Sequence, residues 1–436
     1  MIWRMARTAS VAGELNATHD PGRRSWLDSA NADGCDFPIQ NLPFGVFRTE
    51  GSAPRGGVAL GDRIIDLATL AARLGGAAHA GTGPTLAPLI AQPPGAVSAL
   101  RAALSDWYRS DAPDRAAAEA ALVPMDEAEL LLPLKPTAFA DFCCSIEHVR
   151  RMATTSGRPV APCADRLPVG YNGRASSVAV SGTPVVRPNG QFEFPPASGT
   201  IQYGPERRLD YELEFGVWLR GGNALGAPVS IAEAEAMMFG CSLVNDWSAR
   251  GIQFFESMLG PHLGKSFMTT VSPWIVTMEA LRPFRVAARG RVDDEAAILP
   301  HLFDANDRAT GAIQIAMTAD LTTATSGRAR ICTTGFETMF WTLAQMVAHQ
   351  ASSGAPIEAG DLLASGTVSG PAEEAKACLA EYNQRGANPV LLADGTKRNW
   401  LEDGDTLTIA AQAHATGYVP IGFGPCTGTI SAAVAH

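Results

Sequence analysis

One stretch of the chain alternates apolar and acidic side chains with a period of two, which is the repeat of a β-strand. In RLDYELEFGVWL, residues 208–219, the carboxylates Asp210, Glu212 and Glu214 share one face of the predicted strand. Like charges on one face repel, and the apolar flanks predict that much of the strand is buried, so a positive charge should compensate them. A hard divalent cation with oxygen ligands is the simplest solution, and an exposed acidic edge strand is the alternative.

The composition favours a globular, β-rich fold around this strand. Of 436 residues, 46% are hydrophobic and 18% are charged, so the chain can bury a sizeable core. Its 43 glycines and 30 prolines are typical of a fold with many turns and short strands. We predict a β-rich α+β protein with two domains, one of them large.

Charge and cysteine usage argue against several classes of function. The formal net charge is -10, so no overall field attracts nucleic acid or an anionic membrane. No run of 18 apolar residues occurs, and the start of the chain lacks the apolar core of a signal peptide. The eight cysteines form no C-x-x-C pair, which favours reduced thiols over disulfides or a zinc site. We therefore expect a soluble cytoplasmic protein.

Changes in sequence texture divide the chain into three parts. Residues 1–35 are polar and show no apolar period, so we expect a mobile or loosely docked arm. Residues 36–136 begin with short apolar runs between turn residues, as in a small β-barrel, and continue through a connector with helical stretches. Residues 137–436 alternate β-branched runs with Gly-rich turns and form the larger predicted domain.

Two helices interrupt the strand pattern of the larger domain. Ser230 and Glu233 form a capping box, so the first helix should begin there and stop at Gly240. The second helix is predicted over residues 334–349.

Further carboxylates follow short apolar runs, at positions where the ends of strands commonly face a site. Asp141 follows TAFA, and Asp246 follows CSLVN. Asp246 can cap a helix that begins at Trp247, and Arg250 and Gln253 then lie on its face of that helix. The alternative is a surface cap with an ion pair inside the helix.

Three other residues are weaker candidates from their local patterns. His148 lies close to Asp141 in the sequence, but a lone histidine is more often structural. Lys265 in GKSF and Thr367 in LASGTVSGP lie in Gly-containing turns, which let the backbone approach a ligand. The full Walker spacing and the G-x-G-x-x-G motif are absent, so no nucleotide site is predicted.

Six motifs, taken in order, resemble the fumarylacetoacetase family. The likeness runs from about Asp36 to the C-terminus and is carried by NLPFGVF, LPVGYNGRASSVAVSGTPVVRPNGQ, LDYELE, NDWSARGIQ, LGKSFMTTVSPW and DLLASGTVSGP. The resemblance implies a small N-terminal β-barrel domain, a large mixed β-roll catalytic domain and a homodimer. It also implies hydrolysis of a carbon–carbon bond in a 1,3-diketo acid, here 4-fumarylacetoacetate giving fumarate and acetoacetate in tyrosine and phenylalanine catabolism.

The same resemblance implies a metal centre and a catalytic group. The ligands of a Ca²⁺ or Mg²⁺ ion would be Asp141, Glu212, Glu214 and Asp246, with Lys265 and Thr269 beside the ion. The residues around the reacting carbonyls would be His148 as the base, Glu381 as its orienting partner, and Arg250, Gln253 and Lys265 as polar groups.

The substrate-binding positions are where this chain departs from the family pattern. The resemblance places these positions at Cys143, Arg158, Tyr171, Gln253, Ser257 and Thr367. Cys143 stands where the family usually has a tyrosine, the family's SARD reads SARG at Gly251, and a tyrosine is missing near Ser257. We therefore expect the acyl preference to shift, with room for a larger or less polar tail.

Two other functions remain open at this point. One is another reaction of the same superfamily, a hydrolysis or a decarboxylation of an acylpyruvate or other β-diketo acid. The other is a diketo-acid-binding protein without turnover. His148 and Glu381 favour hydrolysis, because together they supply a base and its orienting carboxylate.

Overall fold

The computed structural model describes residues 14–113, 115–293, 295–325, 327–392 and 394–435. It is a mixed α/β structure that is rich in sheet. The first thirteen residues of the predicted N-terminal arm lie outside the described residues. No helix in the described part of the chain is both long and apolar enough to cross a membrane.

The part of the chain before residue 137 forms short strands around a group of helices. The strands are β1 (Phe44–Arg48), β2 (Arg55–Leu60), β3 (Arg63–Asp66), β4 (Leu122–Pro124) and β5 (Glu129–Leu131). The helices are α1 (Leu67–Leu74), α2 (Gly76–Ala80), α3 (Ala87–Ile90), α4 (Pro94–Tyr108) and α5 (Ala116–Glu119).

The remainder of the chain contains most of the strands. Its strands are β6 (Phe139–Cys143), β7 (Val169–Asn172), β8 (Val178–Val180), β9 (Val185–Val186), β10 (Asn189–Glu193), β11 (Ile201–Pro205), β12 (Leu209–Asp210), β13 (Leu213–Leu219), β14 (Met238–Asp246), β15 (Ser248–Ala249), β16 (Thr269–Val271), β17 (Trp274–Thr277), β18 (Arg285–Val286), β19 (Ala312–Ile313), β20 (Ile315–Thr323), β21 (Gly327–Gly335), β22 (Leu362–Ala364), β23 (Val390–Leu391), β24 (Lys397–Arg398), β25 (Thr406–Ala413), β26 (Ile421–Gly422) and β27 (Cys426–Ser431). Its helices are α6 (Ile146–Ser156), α7 (Ile231–Met237), α8 (Arg250–Glu256), α9 (Leu263–Ser266), α10 (Ala305–Thr310), α11 (Leu343–Gln350) and α12 (Leu379–Tyr382).

The largest sheet joins the two parts of the chain. Its main path runs β4-β3-β2-β1-β17-β14-β13-β22-β6-β7, with β5 on β1 and with β16 and β8 beside β14. The connection is the antiparallel pairing of β1 with β17, in which Phe44 lies opposite Ile275. The pairings among the described strands do not close into a ring, so the small N-terminal barrel stays a prediction.

A second sheet packs over the centre of the first. It is ordered β21-β20-β25-β27-β9, with β26 on β25. The main hydrophobic core lies between the two sheets, where the ring of Phe215 from β13 packs 4.7 Å from that of Phe336 and 5.2 Å from that of Phe423. The wholly buried β13 and β14 are therefore held rigidly from both faces.

The acidic stretch 208–219 forms two strands, β12 and β13, and not the single strand that its alternation predicts. The break falls at Tyr211 and Glu212, because side chains take their backbone N–H groups. Tyr211 N–H donates to Asp210 Oδ1 over 2.9 Å, and Glu212 N–H donates to Asn245 Oδ1 over 3.2 Å. Neither group is then available for a strand ladder, so Asp210 departs from the face that carries the two glutamates.

The predicted helices are partly confirmed. Ser230 and Glu233 form the capping box of α7, although the helix ends at Met237 and the chain continues directly into β14. The helix predicted over 334–349 is wrong in its first half, because residues up to Gly335 belong to β21. Helix α11 begins after Thr342, whose side chain accepts the N–H of Gln345 in a second capping box.

The described part of the predicted arm, residues 14–35, is hydrogen-bonded to α4 and its surroundings. The wholly buried Arg101 of α4 donates to Thr18 Oγ1 and to the backbone oxygen of Gln40. Ser25 Oγ donates to the backbone oxygen of Tyr108 over 2.8 Å.

Candidate active site

Four buried carboxylates meet where neighbouring strands of the large sheet end. Asp141 lies in β6, Glu214 in β13 and Asp246 at the end of β14, while Glu212 lies in the break before β13. One oxygen of each carboxylate lies within 4.8 Å of the corresponding oxygen of every other. The structure therefore brings together the four residues that the resemblance implies as metal ligands.

The electrostatics of this carboxylate cluster call for a cation. Burial and then the charge of Asp246 raise the pKa of Asp141, and burial and then the charge of Asp141 raise the pKa of Glu214. Both carboxylate oxygens of Glu214 and Oδ1 of Asp141 are buried without a hydrogen-bond partner in the described residues. Because one ammonium and one guanidinium face the four carboxylates, at least two negative charges lack compensation, which fits a divalent ion with oxygen ligands.

Lys265 supplies the ammonium. Its Nζ lies 2.5 Å from Glu212 Oε2 and 2.6 Å from Asp246 Oδ2. Burial opposes its charge, but Asp246 and Glu212 outweigh burial and raise the pKa of Lys265, so it is cationic. Asp246 also accepts hydrogen bonds from Thr269 Oγ1 and from the hydroxyl of Tyr171, both over 2.9 Å.

Arg250 supplies the guanidinium and ties the cluster to the first turn of α8. Its Nη2 lies 2.8 Å from Glu212 Oε1 and its Nε donates to Asp210 Oδ2 over 2.9 Å. Nη1 donates to Gln253 Oε1 over 3.2 Å, which leaves the amide NH₂ of Gln253 free to face a ligand. Burial opposes ionisation of Glu212, but Lys265 and Arg250 hold the pKa of Glu212 well below its usual range.

The predicted role of Asp246 as a helix cap is wrong. The chain forms β15 after Trp247, and α8 begins only at Arg250 with Ala249 as its cap residue. The guanidinium of Arg250 consequently points to Asp210 and Glu212 and makes no ion pair with Asp246 among the described contacts.

His148 and Glu381 form a second group beside the carboxylates. His148 Nδ1 lies 2.6 Å from Glu381 Oε1, joining α6 to α12. Burial opposes ionisation of Glu381, but His148, Ser369 and Arg151 outweigh it and lower the pKa of Glu381. His148 is also close enough to help hold the pKa of Glu212 low, so the two groups belong to one site.

Two residues of this site, Ser369 and Arg151, were missed by the sequence reasoning, and a third, Asp210, has a different role from the predicted one. Ser369 Oγ donates to Glu381 Oε1 over 2.6 Å, and Arg151 Nη1 donates to Glu381 Oε2 over 3.2 Å. Asp210 accepts the N–H groups of Leu379 and Ala380 at the start of α12. Arg151 could have been found from the sequence, because it lies one helical turn after His148 in α6. The contacts of Ser369 and Asp210 depend on long-range folding and leave no local pattern.

The substrate-binding positions fall into two groups. Cys143 at the end of β6 and Tyr171 in β7 lie beside the carboxylates, and Thr367 is buried in the turn after β22. Burial raises the pKa of the Cys143 thiol, which is therefore neutral. The other group, Arg158, Gln253 and Ser257, lines a cavity of about 330 Å³ on the outer side of α8.

The departure at Gly251 has a structural counterpart in Glu206. A Cβ atom at Gly251 would lie 2.5 Å from Glu206 Oε1. Glu206 is 1% exposed, and its Oε2 accepts the N–H of Ile252 in the first turn of α8 over 2.8 Å. Glu206 therefore occupies the space beside position 251 and satisfies a donor at the start of a helix whose own cap residue offers no side chain.

Comparison with family models covers nearly the whole chain. Residues 40–133 match the model described as fumarylacetoacetase N-terminal, and residues 137–431 match the model described as fumarylacetoacetate (FAA) hydrolase C-terminal. All three carboxylate-bearing strands and the His148–Glu381 pair lie within the second match.

Curated relatives and solved structures agree with these matches. The chain is 40% identical over 432 residues to a protein of Oryza sativa subsp. japonica named fumarylacetoacetase, covering 94% of this chain and 98% of that one. It is 37% identical over 424 residues to the fumarylacetoacetase of Homo sapiens, covering 92% and 97%. A solved fumarylacetoacetate hydrolase from Exiguobacterium antarcticum shares the fold, with a TM-score of 0.50 and 18% identity over 90% of this chain and 99% of that one.

Proposed function

The chain belongs to the fumarylacetoacetate hydrolase family, and from that premise we propose that it hydrolyses 4-fumarylacetoacetate to fumarate and acetoacetate. The reaction would serve tyrosine and phenylalanine breakdown. The observation that carries the proposal is the buried cluster of four carboxylates beside the His148–Glu381 pair. A β-diketone needs both parts, because its oxygens must be polarised while water attacks.

The four carboxylates of Asp141, Glu212, Glu214 and Asp246 would hold a Ca²⁺ or Mg²⁺ ion, with Lys265 and Thr269 fixing the orientation of Glu212 and Asp246. The ion, when bound, would supply Lewis-acid polarisation of the diketone oxygens. Tyr171 would keep Asp246 in place through its hydroxyl, as it already donates to Oδ2.

His148 would act as the general base. Glu381, ionised and held by Ser369 and Arg151, accepts the Nδ1–H of the imidazole and so leaves Nε2 free to take a proton from water. The water oxygen would attack the carbonyl carbon of the fumaryl group. The carbon–carbon bond to the acetoacetate half would then break, its electron pair leaving on acetoacetate as an enolate, which would take back the proton held by His148.

Three donors would stabilise the charge that develops during this attack. Lys265 retains one N–H after its two contacts with carboxylates, and Gln253 retains its NH₂ group. Arg250 holds Gln253 in place and adds positive charge. Preorganised donors of this kind contribute about 10² to 10³ each to the rate.

The finer architecture and setting belong to the same proposal. The five N-terminal strands would form the small barrel of the family, the remainder would form its β-roll domain, and the protein would be a homodimer. The cysteines in the described residues are free thiols, which supports a reducing compartment such as the cytoplasm.

The test is an assay of purified protein with fumarylacetoacetate and Mg²⁺ or Ca²⁺. We expect the diketone absorbance to disappear while fumarate and acetoacetate accumulate in equal amounts. Addition of a chelator should stop the reaction, and restored divalent ion should restart it. Turnover of acylpyruvates but not of fumarylacetoacetate would favour the related reaction of the superfamily, and saturable binding without turnover would favour a binding protein.

A further inference from the structure

Two cavities on the outer side of α8 share a wall. The first, of about 330 Å³, is lined by Arg158, Gln253 and Arg385 among others, and the second, of about 340 Å³, is lined by Arg208 and again by Arg385. Phe254 lines both. The guanidinium of Arg385 lies 3.8 Å from the centre of the Phe254 ring, and that of Arg208 lies 6.0 Å from it.

These arginines lack an anionic partner. In the part of the chain that the structure describes, the side chains of Arg158, Arg208 and Arg385 make neither a hydrogen bond nor an ion pair. Burial and then the charges of Arg208 and Arg158 lower the pKa of Arg385, and burial lowers the pKa of Arg208 although Glu206 and Glu193 attract it. Two guanidinium groups beside the Phe254 ring, and that of Arg158 in the adjoining cavity, outnumber the carboxylate of Glu193 that lines the second cavity. They therefore leave net positive charge in a partly desolvated space.

The backbone holds Arg385 in this place by an unusual conformation. Gln384 and Arg385 have φ values of 49° and 61°, in the left-handed region that residues other than glycine rarely adopt. The N–H of Arg385 donates to the backbone oxygen of Ala380 over 3.0 Å, at the end of the helix that carries Glu381. Strain of this kind persists where surrounding contacts fix it, and it concentrates at functional sites.

Helix α8 connects the arginine cluster with the reacting centre. Helix α8 carries Arg250 towards the carboxylates, while Gln253 and Phe254, three and four residues later, line the cavity. The charge of Arg250 also contributes to the lowered pKa of Arg385. A linear substrate held by Gln253 at its carbonyls would consequently extend past Phe254 towards the unpaired guanidinium groups.

We propose that Arg385 and Arg208, together with Arg158, form an anion subsite for a carboxylate at the end of the substrate's acyl tail, with the tail lying against Phe254. The inference rests on the proposed function and assigns residues that determine specificity for the acyl tail of its substrate. This subsite differs from the less polar tail that the sequence predicts. The first cavity, which contains Ser257 where the family's tyrosine is missing, is lined by charged side chains.

The test compares two substrates that differ in the tail alone. Fumarylacetoacetate carries a carboxyvinyl tail on its acyl carbon, and 3,5-dioxohexanoate carries a methyl group in place of that whole tail. We expect Arg385→Met to lower kcat/KM for fumarylacetoacetate at least about tenfold through KM, with kcat within about twofold, and to leave the values for 3,5-dioxohexanoate within about twofold. Arg385→Lys should recover part of the loss, because it restores the charge without the planar group.

Matched variants separate the subsite from a general loss of charge or fold. Arg328→Met removes an exposed guanidinium on β21 that lines neither cavity, and it should leave both substrates unchanged. Arg208→Met should repeat the selective rise of KM in a smaller form if Arg385→Met does not fold. Equal losses for both substrates, or no loss for either, would overturn the subsite.

Failure of the proposed function is distinguishable from failure of the subsite. If the wild type hydrolyses neither substrate, the function falls, and the subsite is then tested by calorimetric binding of fumarate to the wild type, Arg385→Met and Arg328→Met. Weaker binding in Arg385→Met alone would support the subsite. Equal binding in all three proteins, or none in the wild type, would overturn it.

Discussion

The inner and outer halves of the site are built in different ways. The inner half consists of the four clustered carboxylates, which lie on or beside strands of the large sheet that are packed from both sides. The outer half consists of the residues that line the two cavities, among them Arg158 and Arg385. It lies on loops and on the end of α8, where Ser257 is exposed. The four carboxylates keep the family pattern, whereas Gly251 and Ser257 depart from it on and just after α8, and Cys143 departs from it at the end of β6. The sheet therefore fixes the groups for the chemistry, and the departures surround them.

The largest effect is expected at the base. We predict that His148→Ala lowers kcat by about 10² or more while leaving the fold and metal binding intact, because proton removal from water is lost. Glu381→Gln should show a smaller defect in kcat, since it orients the imidazole and transfers no proton to substrate. Steady-state kinetics with metal titration check both variants, and near-normal kcat in His148→Ala would remove the histidine from the chemistry.

The second effect concerns the carboxylates, the other part of the inner half. Glu214→Ala should weaken divalent-ion affinity and activity together, and excess ion should restore part of the activity. Removing the ion from the wild type should also lower Tm, because the buried carboxylates then repel without compensation. Calorimetry with and without a chelator measures both effects. An unchanged Tm together with full activity in chelator would contradict a metal centre here.

Gly251 lies between the two halves, and a substitution there tests whether Glu206 fills the space beside it. Gly251→Asp should destabilise the protein by about 1 to 3 kcal/mol, because the new side chain overpacks against the buried carboxylate of Glu206. The double variant that adds Glu206→Ala should recover much of the loss, since it removes the clashing group. Chemical denaturation of the four proteins in this cycle gives the coupling, and additive losses would show that the two positions do not share this space.

The smallest effect is expected in the substrate-binding positions. Cys143→Tyr should lower KM for fumarylacetoacetate by about two- to tenfold, the worth of one net hydrogen bond, because it supplies the phenol that the family pattern has there. The cysteine itself should resist thiol reagents, since burial raises the pKa of its thiol. If the wild type already turns over this substrate at kcat/KM near about 10⁶ M⁻¹s⁻¹ and longer diketo acids are poor, specificity has not shifted.

The sequence was sufficient for the inner half because its residues lie in contiguous motifs. Glu212 and Glu214 stand two residues apart, and the runs before Asp141 and Asp246 are apolar enough to mark buried strands. The alternation nonetheless predicted one strand, because side chains that take backbone N–H groups leave no periodic signal. Asp210 therefore could not be separated from its two acidic neighbours before the structure showed its contacts with Arg250 and α12.

The resemblance pointed to Arg158, Gln253 and Ser257 in the outer half, but the contacts that surround them escaped prediction for a different physical reason. Phe254 and Arg385 contact each other although 131 positions separate them, and neither residue belongs to a pattern that specifies the other. The position of Glu206 could not be predicted either. Glycine at position 251 indicates that the family's side chain is absent, but not which distant side chain fills the space. Contacts of this kind depend on how loops are placed by the whole fold.

Because β1 pairs with β17, the sheet of the larger part of the chain is complete only when the N-terminal strands are present. A catalytic portion made without residues before 137 would present the hydrogen-bonding edge of β17 to solvent, next to the apolar Trp274 and Ile275. Such an edge recruits strands from other molecules, so the shortened chain should aggregate more readily than the full chain. The N-terminal strands thus cover the open edge of β17 and complete the sheet that holds the carboxylates.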